Sequence, residues 1–259
     1  MDLQLVRTHY NGETHRPETR VWARAPHVRP RAAVMSRGGI AIARLVSPVE
    51  FPGPEGRLEG LWADPVASPL APAILCHPHP AHGGSMHSKV VHTLYRVLDD
   101  AGHPTLRFNF RGVGASAGSY SGWDGEVGDV AAAAAYARER TGRRPLWVAG
   151  FSFGSWVSAR WALQDRAVER FIALGVPVSK NIDDRTFEFL DRPPAPMLIV
   201  QGDHDQYGSQ DAVLALAKRL KEKGEVTVRF VAHADHFFTG QLKELAAALR
   251  DGLGFGERA

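Results

Sequence analysis

From Arg57 onward, apolar residues arrive in short runs separated by stretches whose apolar positions recur every three or four residues. The runs Arg57–Trp62, Ala73–Cys76, Thr105–Phe108, Leu146–Gly150, Phe171–Val176, Met197–Gln201 and Val226–Val231 have the length and residue types of strands. Between them lies helical spacing: Val90, Val91, Leu94, Val97 and Leu98 make one stripe, and Val213, Ala217 and Leu220 make another. Helices are also expected over Ser155–Leu163, Asp129–Arg140 and Leu242–Leu249. Strand alternating with helix predicts an α/β fold, a mostly parallel twisted sheet with helices on both faces. Reactive groups in such sheets collect in loops beyond the carboxyl ends of the strands. Here those loops follow Cys76, Phe110, Gly150, Gln201 and Val231.

Upstream the pattern is different. Residues 1–39 are rich in Arg, His and Pro without either periodicity, and a strand-like alternation starts only near Ile40, with Ile42 and Leu45. The expectation is a disordered extension over 1–39, with Met35 as an alternative start, ahead of a catalytic domain over 40–259. A length of 259 residues, 44% hydrophobic and 23% charged, suits one domain with its own core. The longest apolar runs, such as Ala195–Val200, fall far short of a membrane span. Cys76, the single cysteine, forms no internal disulfide, and Arg7, His9 and Asn11 interrupt any secretory apolar region, so a cytoplasmic protein is expected. The net charge of +3 comes from scattered basic residues, which argues against a nucleic-acid partner.

After the run Leu146–Gly150 comes Gly150-Phe151-Ser152-Phe153-Gly154, followed by a helix-compatible stretch. This G-x-S-x-G pattern between strand and helix is where a nucleophilic serine sits on a sharp, strained turn, and the glycines keep bulk away from it. A serine hydroxyl needs a base to take its proton and an acid to orient that base. Both residue types follow at later strand ends: Gly202-Asp203-His204-Asp205, then His233-Ala234-Asp235-His236-Phe237-Phe238. Either aspartate and either histidine satisfies the order Ser, Asp, His. His236 is preferred to His233 because two phenylalanines follow it to anchor its loop.

The chain resembles the small bacterial serine hydrolases of the α/β-hydrolase superfamily, in the group with a C-H-P-H-P strand end, related to dienelactone hydrolases and esterases. The resemblance covers about residues 40–255. It rests on Cys76-His77-Pro78-His79-Pro80, Phe108-Asn109-Phe110-Arg111-Gly112-Val113-Gly114, the Ser152 pentapeptide, Gly202-Asp203-His204-Asp205 and Asp235-His236-Phe237-Phe238. It implies a Ser152-Asp205-His236 triad, because the second aspartate of G-D-x-D holds the acid role, with Asp203 as the fallback. Expected chemistry is ester or related acyl hydrolysis without a cofactor or metal, by a monomer or homodimer acting on a small molecule, with no membrane partner. Two backbone N–H groups should face the developing oxyanion: that of Phe153 at the helix start, and that of His79, since Pro78 and Pro80 have none to give. The short span Pro177–Pro196 leaves no room for a large lid domain, and Trp123, Trp156, Tyr207 and Phe237 are candidate pocket walls.

Other readings attach to these loops and their neighbours. His77, His79 and His82 have H-x-H-x-x-H spacing and could serve a metal-dependent hydrolase, although Ala81 stands where an aspartate belongs in that pattern. Arg111-Gly112-Val113-Gly114 hints at a phosphate cradle but lacks the Lys and Ser/Thr of a P-loop. Glu126 and Asp129 read as helix-start acids. A fold-retaining binding protein without catalysis is the remaining alternative.

Overall fold

The computed structural model describes residues 45–65, 68–179 and 185–256, so the expectations for the 1–39 segment and for Ile40 and Ile42 lie outside the described residues. The chain runs β1 (Leu45–Gly53), β2 (Gly56–Asp64), β3 (Ala73–Cys76), α1 (Lys89–Asp100), β4 (Thr105–Phe108), α2 (Asp124–Thr141), β5 (Leu146–Phe151), α3 (Phe153–Ala162), β6 (Val168–Leu174), β7 (Met197–Gly202), α4 (Gln210–Lys221), β8 (Val226–Val231) and α5 (Leu242–Leu253). A 3₁₀ turn spans Pro80–His82.

The strands form one eight-stranded sheet in the order β1-β2-β4-β3-β5-β6-β7-β8. β1 pairs with β2, and β2 with β4, in antiparallel register. All other neighbours are parallel. The central strands β3, β5 and β7 read as apolar runs because both faces are covered: Val90, Val91, Leu94 and Leu98 of α1 with Leu245 and Leu249 of α5 lie on one face, and residues of α2, α3 and α4, such as Val130, Val157 and Leu220, lie on the other.

Two elements differ from expectation for identifiable reasons. β1 carries Pro48 and Pro52, which break a strand pattern, yet both fit an edge strand that pairs, among the described residues, with β2 alone. α2 begins at Asp124, five residues before the expected start, behind Trp123 at φ 87°, a residue with neither the side chain nor the backbone of an ordinary helix cap. Between β6 and β7 the described residues contain no inserted helix or further sheet strand. Among the described residues no helix is long and apolar enough to cross a membrane.

Candidate active site

Three parallel strands end at one place. β5 ends at Phe151, and Ser152 turns the chain into α3 with φ 54° and ψ −118°, a left-handed backbone rare for a residue with a Cβ. Neighbouring contacts hold it there. The Ser152 N–H donates to Leu174 O at 2.9 Å. A Cβ on Gly150 would stand 2.2 Å from Gly154 O, and one on Gly154 would stand 2.4 Å from Cys76 O, so both glycines of the pentapeptide are required by backbone packing.

β7 ends at Gly202 and delivers Asp205; β8 ends at Val231 and delivers His236. Ser152 Oγ lies 2.9 Å from His236 Nε2, and His236 Nδ1 lies 2.8 Å from Asp205 Oδ2. The three residues are only 4%, 2% and 4% exposed respectively. Asp205 Oδ1 accepts the N–H groups of Tyr207 at 2.8 Å and Gly208 at 3.2 Å, and Oδ2 also accepts Gln201 Nε2 at 2.7 Å. A carboxylate surrounded by donors accepts from His236 too, so Nδ1 bears the imidazole proton and Nε2 presents its lone pair to the serine hydroxyl. Asp203 and His233 take no part in this chain of contacts.

The His236 loop is fixed at its base. Asp235 Oδ1 accepts from Phe237 N–H at 3.0 Å and Thr239 N–H at 2.9 Å. Phe238 is fully buried, whereas Phe237 is 54% exposed, so one of the two phenylalanines anchors the loop and the other faces outward. The His236 ring sits among Phe151, Tyr207 and Phe237, with centroids 5.2, 4.7 and 5.1 Å away.

Phe153 opens α3, so its N–H is among those a helix leaves without an intrahelical partner. The loop after β3 abuts this helix start: Gly154 packs on the Cys76 and His77 carbonyls, and the His79 and Phe153 rings lie 5.0 Å apart. Trp123 and Trp156, candidates for pocket walls, are buried at 2% and 3% exposure, with Trp123 4.5 Å from Phe153 and 5.1 Å from Trp156. They form the core beneath the helix start. Tyr207 and Phe237 flank the reactive pair itself.

His77, His79 and His82 do not converge as metal ligands. His77 Nδ1 donates to Pro78 O at 2.6 Å and Nε2 accepts Phe110 N–H at 3.1 Å, so both ring nitrogens are committed. Burial drives its pKa down to about 4, with the Pro78 carbonyl opposing and His79 reinforcing the shift. His79 Nδ1 accepts Ala81 N–H at 3.2 Å, and Nε2 lies 3.1 Å from the Tyr120 hydroxyl. Cys76 is an inert core residue: burial, with Asp129 adding to it, pushes its thiol far above the ordinary range.

Nor is Arg111 available to a phosphate. Its backbone N–H and its Nε donate to Asp129 Oδ2, both at 3.0 Å, and Nη1 donates to Glu55 at 2.6 Å. Asp129 is thus the partner of Arg111 rather than a helix-start acid. Glu126 does serve the start of α2, accepting from Ser121 N–H at 2.9 Å and Ser121 Oγ at 3.1 Å. Gln201 also belongs to the site, although no motif marks it. The available signal was an amide at the end of a run that is otherwise apolar and buried on both faces.

The sequence model described as alpha/beta hydrolase domain matches residues 72–248. The chain belongs to the alpha/beta hydrolase family. An uncharacterized protein of Rickettsia prowazekii is 38% identical over 210 residues, 79% of this chain and 87% of that protein. Among solved alpha/beta hydrolase structures, a serine hydrolase homologue from Coxiella burnetii superposes with a TM-score of 0.72 at 36% identity, covering 85% of this chain and 99% of that one. A serine hydrolase without a lid from Xanthomonas campestris gives 0.70 at 34% identity, covering 81% and 94%. The eight-stranded, mostly parallel sheet is therefore the alpha/beta-hydrolase fold.

Proposed function

We propose that this alpha/beta hydrolase cleaves a small ester or related acyl substrate through a covalent acyl-enzyme, with Ser152 as nucleophile, His236 as general base and Asp205 as the acid that orients it. The observation that carries the reading is the unbroken pair of contacts, Oγ to Nε2 at 2.9 Å and Nδ1 to Oδ2 at 2.8 Å. The similarity to a serine hydrolase homologue from Coxiella burnetii and a lidless serine hydrolase from Xanthomonas campestris supports it.

In this mechanism the Ser152 proton passes to His236 Nε2 as Oγ bonds to the acyl carbon. Charge collects on the carbonyl oxygen, facing the N–H groups of Phe153 and His79. Each such donor contributes roughly 3–4 kcal/mol when aimed at the oxyanion, and the helix dipole of α3 adds to that of Phe153. Collapse breaks the bond to the leaving group, whose oxygen takes the proton back from Nε2. Water then adds to the acyl carbon, giving its proton to the same nitrogen, and Ser152 leaves with it. Tyr207 and Phe237 offer apolar surface to the substrate beside the imidazole.

A fluorophosphonate probe should label the wild type and not Ser152→Ala, and across a panel of acyl esters the variant should lose about 10⁶-fold in kcat. Equal turnover by both proteins would remove the serine mechanism.

A further inference from the structure

Beside the triad, Asp203, His204 and His233 each offer one ligand atom, and these atoms all lie within 4.8 Å of one another. Asp203 Oδ1 is 3.9 Å from His204 Nε2, and the His204 and His233 rings lie 5.6 Å apart. We propose that these three residues bind one divalent zinc-type cation that clamps the loop carrying Asp205 to the loop carrying His236. The proposal does not depend on the esterase reading, since none of the three residues belongs to the Ser152–His236–Asp205 contacts.

Donor chemistry points to that class of ion. Two imidazoles and a carboxylate are a zinc donor set that leaves a fourth position for water. Ligands on a tetrahedral zinc stand about 3.4 Å from each other, given bonds of about 2.0–2.2 Å. A 3.9 Å separation therefore needs only a small side-chain rotation to close.

A second observation singles out the carboxylate. Asp203 Oδ1 is buried and accepts no hydrogen bond from the protein. An acceptor in that condition is destabilising, the more so when charged, and calls for a partner. A ring nitrogen of each of His204 and His233 lies within 4.8 Å of an Asp203 carboxylate oxygen, and a cation between the three would satisfy it. The His204 side chain is 65% exposed, which leaves the ion a path from solvent.

The backbone already holds the two loops in contact, so little ordering remains for the ion to impose. His204 N–H donates to Ala234 O at 3.0 Å, and Asp203 N–H donates to Val231 O at 3.1 Å. Asp203 and His204 directly precede Asp205, and His233 lies in the short loop that leads to His236. A cation here would stiffen the acid–base geometry without entering the chemistry.

Isothermal titration of the metal-free full chain with zinc at pH 7.5 should show one site. The chain carries 12 histidines, so the comparison with a His204→Ala/His233→Ala double variant decides which residues bind. That variant should lose at least about tenfold in zinc affinity while keeping the circular dichroism spectrum and zinc-free melting temperature of the wild type, which reports that it is folded. A hundredfold excess of zinc over Kd should raise the unfolding midpoint of the wild type by roughly 5–10 °C, and that of the variant by much less. No binding by the wild type, or binding by the double variant with undiminished affinity, would overturn the proposal. His204→Ala alone is the second test: unchanged zinc affinity in that single variant also counts against the site.

Discussion

Each polar atom of the Gln201 amide is in use. Oε1 accepts Val176 N–H at 2.7 Å, and Nε2 donates to Asp205 Oδ2 at 2.7 Å and Gly208 O at 3.0 Å. The side chain is fully buried, so it connects the end of β6, the loop after β7 and the acid within one dry network. Asp205 Oδ2 is shared between Gln201 and His236, which makes Gln201 a positioning residue for the imidazole. A hydrogen bond to a charged group is worth roughly 1.5–3 kcal/mol, so Gln201→Met should lower kcat about ten- to hundredfold with KM little changed. Steady-state kinetics on a short-chain ester checks this. A lower melting temperature with unaltered kcat would reduce Gln201 to a stabilising role.

The elements that carry the site were legible to different degrees. β3 and β4 are fully buried and occupy the residues their apolar runs mark, because strands covered on both faces leave little room for a different reading, and the half-buried β8 occupies the run in which Thr227 and Arg229 alternate with apolar residues. The order Ser, Asp, His at the ends of β5, β7 and β8 was legible from where the strands stop, whereas the choice of Asp205 over Asp203 came from the family resemblance. β1 was not, because Pro48 and Pro52 mask an edge strand whose partner lies across a tight hairpin. The first turn of α2 was not, because Trp123 stands at the cap and the alanine run Ala131–Ala135 marks no face. The two tryptophans near the site were equally opaque: aromatic residues have the same composition whether they line a pocket or fill the layer beneath it, and only packing against Phe153 decides.

Gly202 tests how closely β7 and β8 must approach. A Cβ there would lie 2.3 Å from Ala234 O and 2.7 Å from Asp235 O, both backbone atoms of the His236 loop. Gly202→Ala must therefore push the loop bearing the base away from the strand bearing the acid. A displacement of about 1 Å at such a pair can cost about 10²-fold in rate, and kcat/KM should fall at least that far. Gly256→Ala is the control, since nothing lies within 4 Å of its added Cβ. Circular dichroism and thermal melts on both variants separate lost geometry from lost fold. Normal activity in Gly202→Ala would mean the two loops move independently.

Over the whole molecule, the tie between the β3 and β4 ends makes stability sensitive to acid. His77 is buried and neutral, joining Pro78 O to Phe110 N–H, and a second ring proton would set donor against donor at Phe110. Its pKa falls from the ordinary 6.5 to about 4, chiefly through burial. Between those values the unfolded chain binds a proton that the folded chain refuses, so stability must fall as pH drops from 6.5 toward 4 and then cease to depend on this group. A shift of that size corresponds to a loss on the order of 3 kcal/mol, a large share of the roughly 5–15 kcal/mol that holds a domain folded. His103, lowered mainly by burial, acts in the same direction. Urea denaturation at pH 7 and pH 4.5 should show the wild type losing most of that amount. His77→Gln keeps an acceptor for Phe110 N–H and has no proton to refuse. Its stability at pH 7 should be lower than that of the wild type, but its decline toward pH 4.5 should be visibly shallower. Parallel declines in the two proteins would assign the acid sensitivity to other groups.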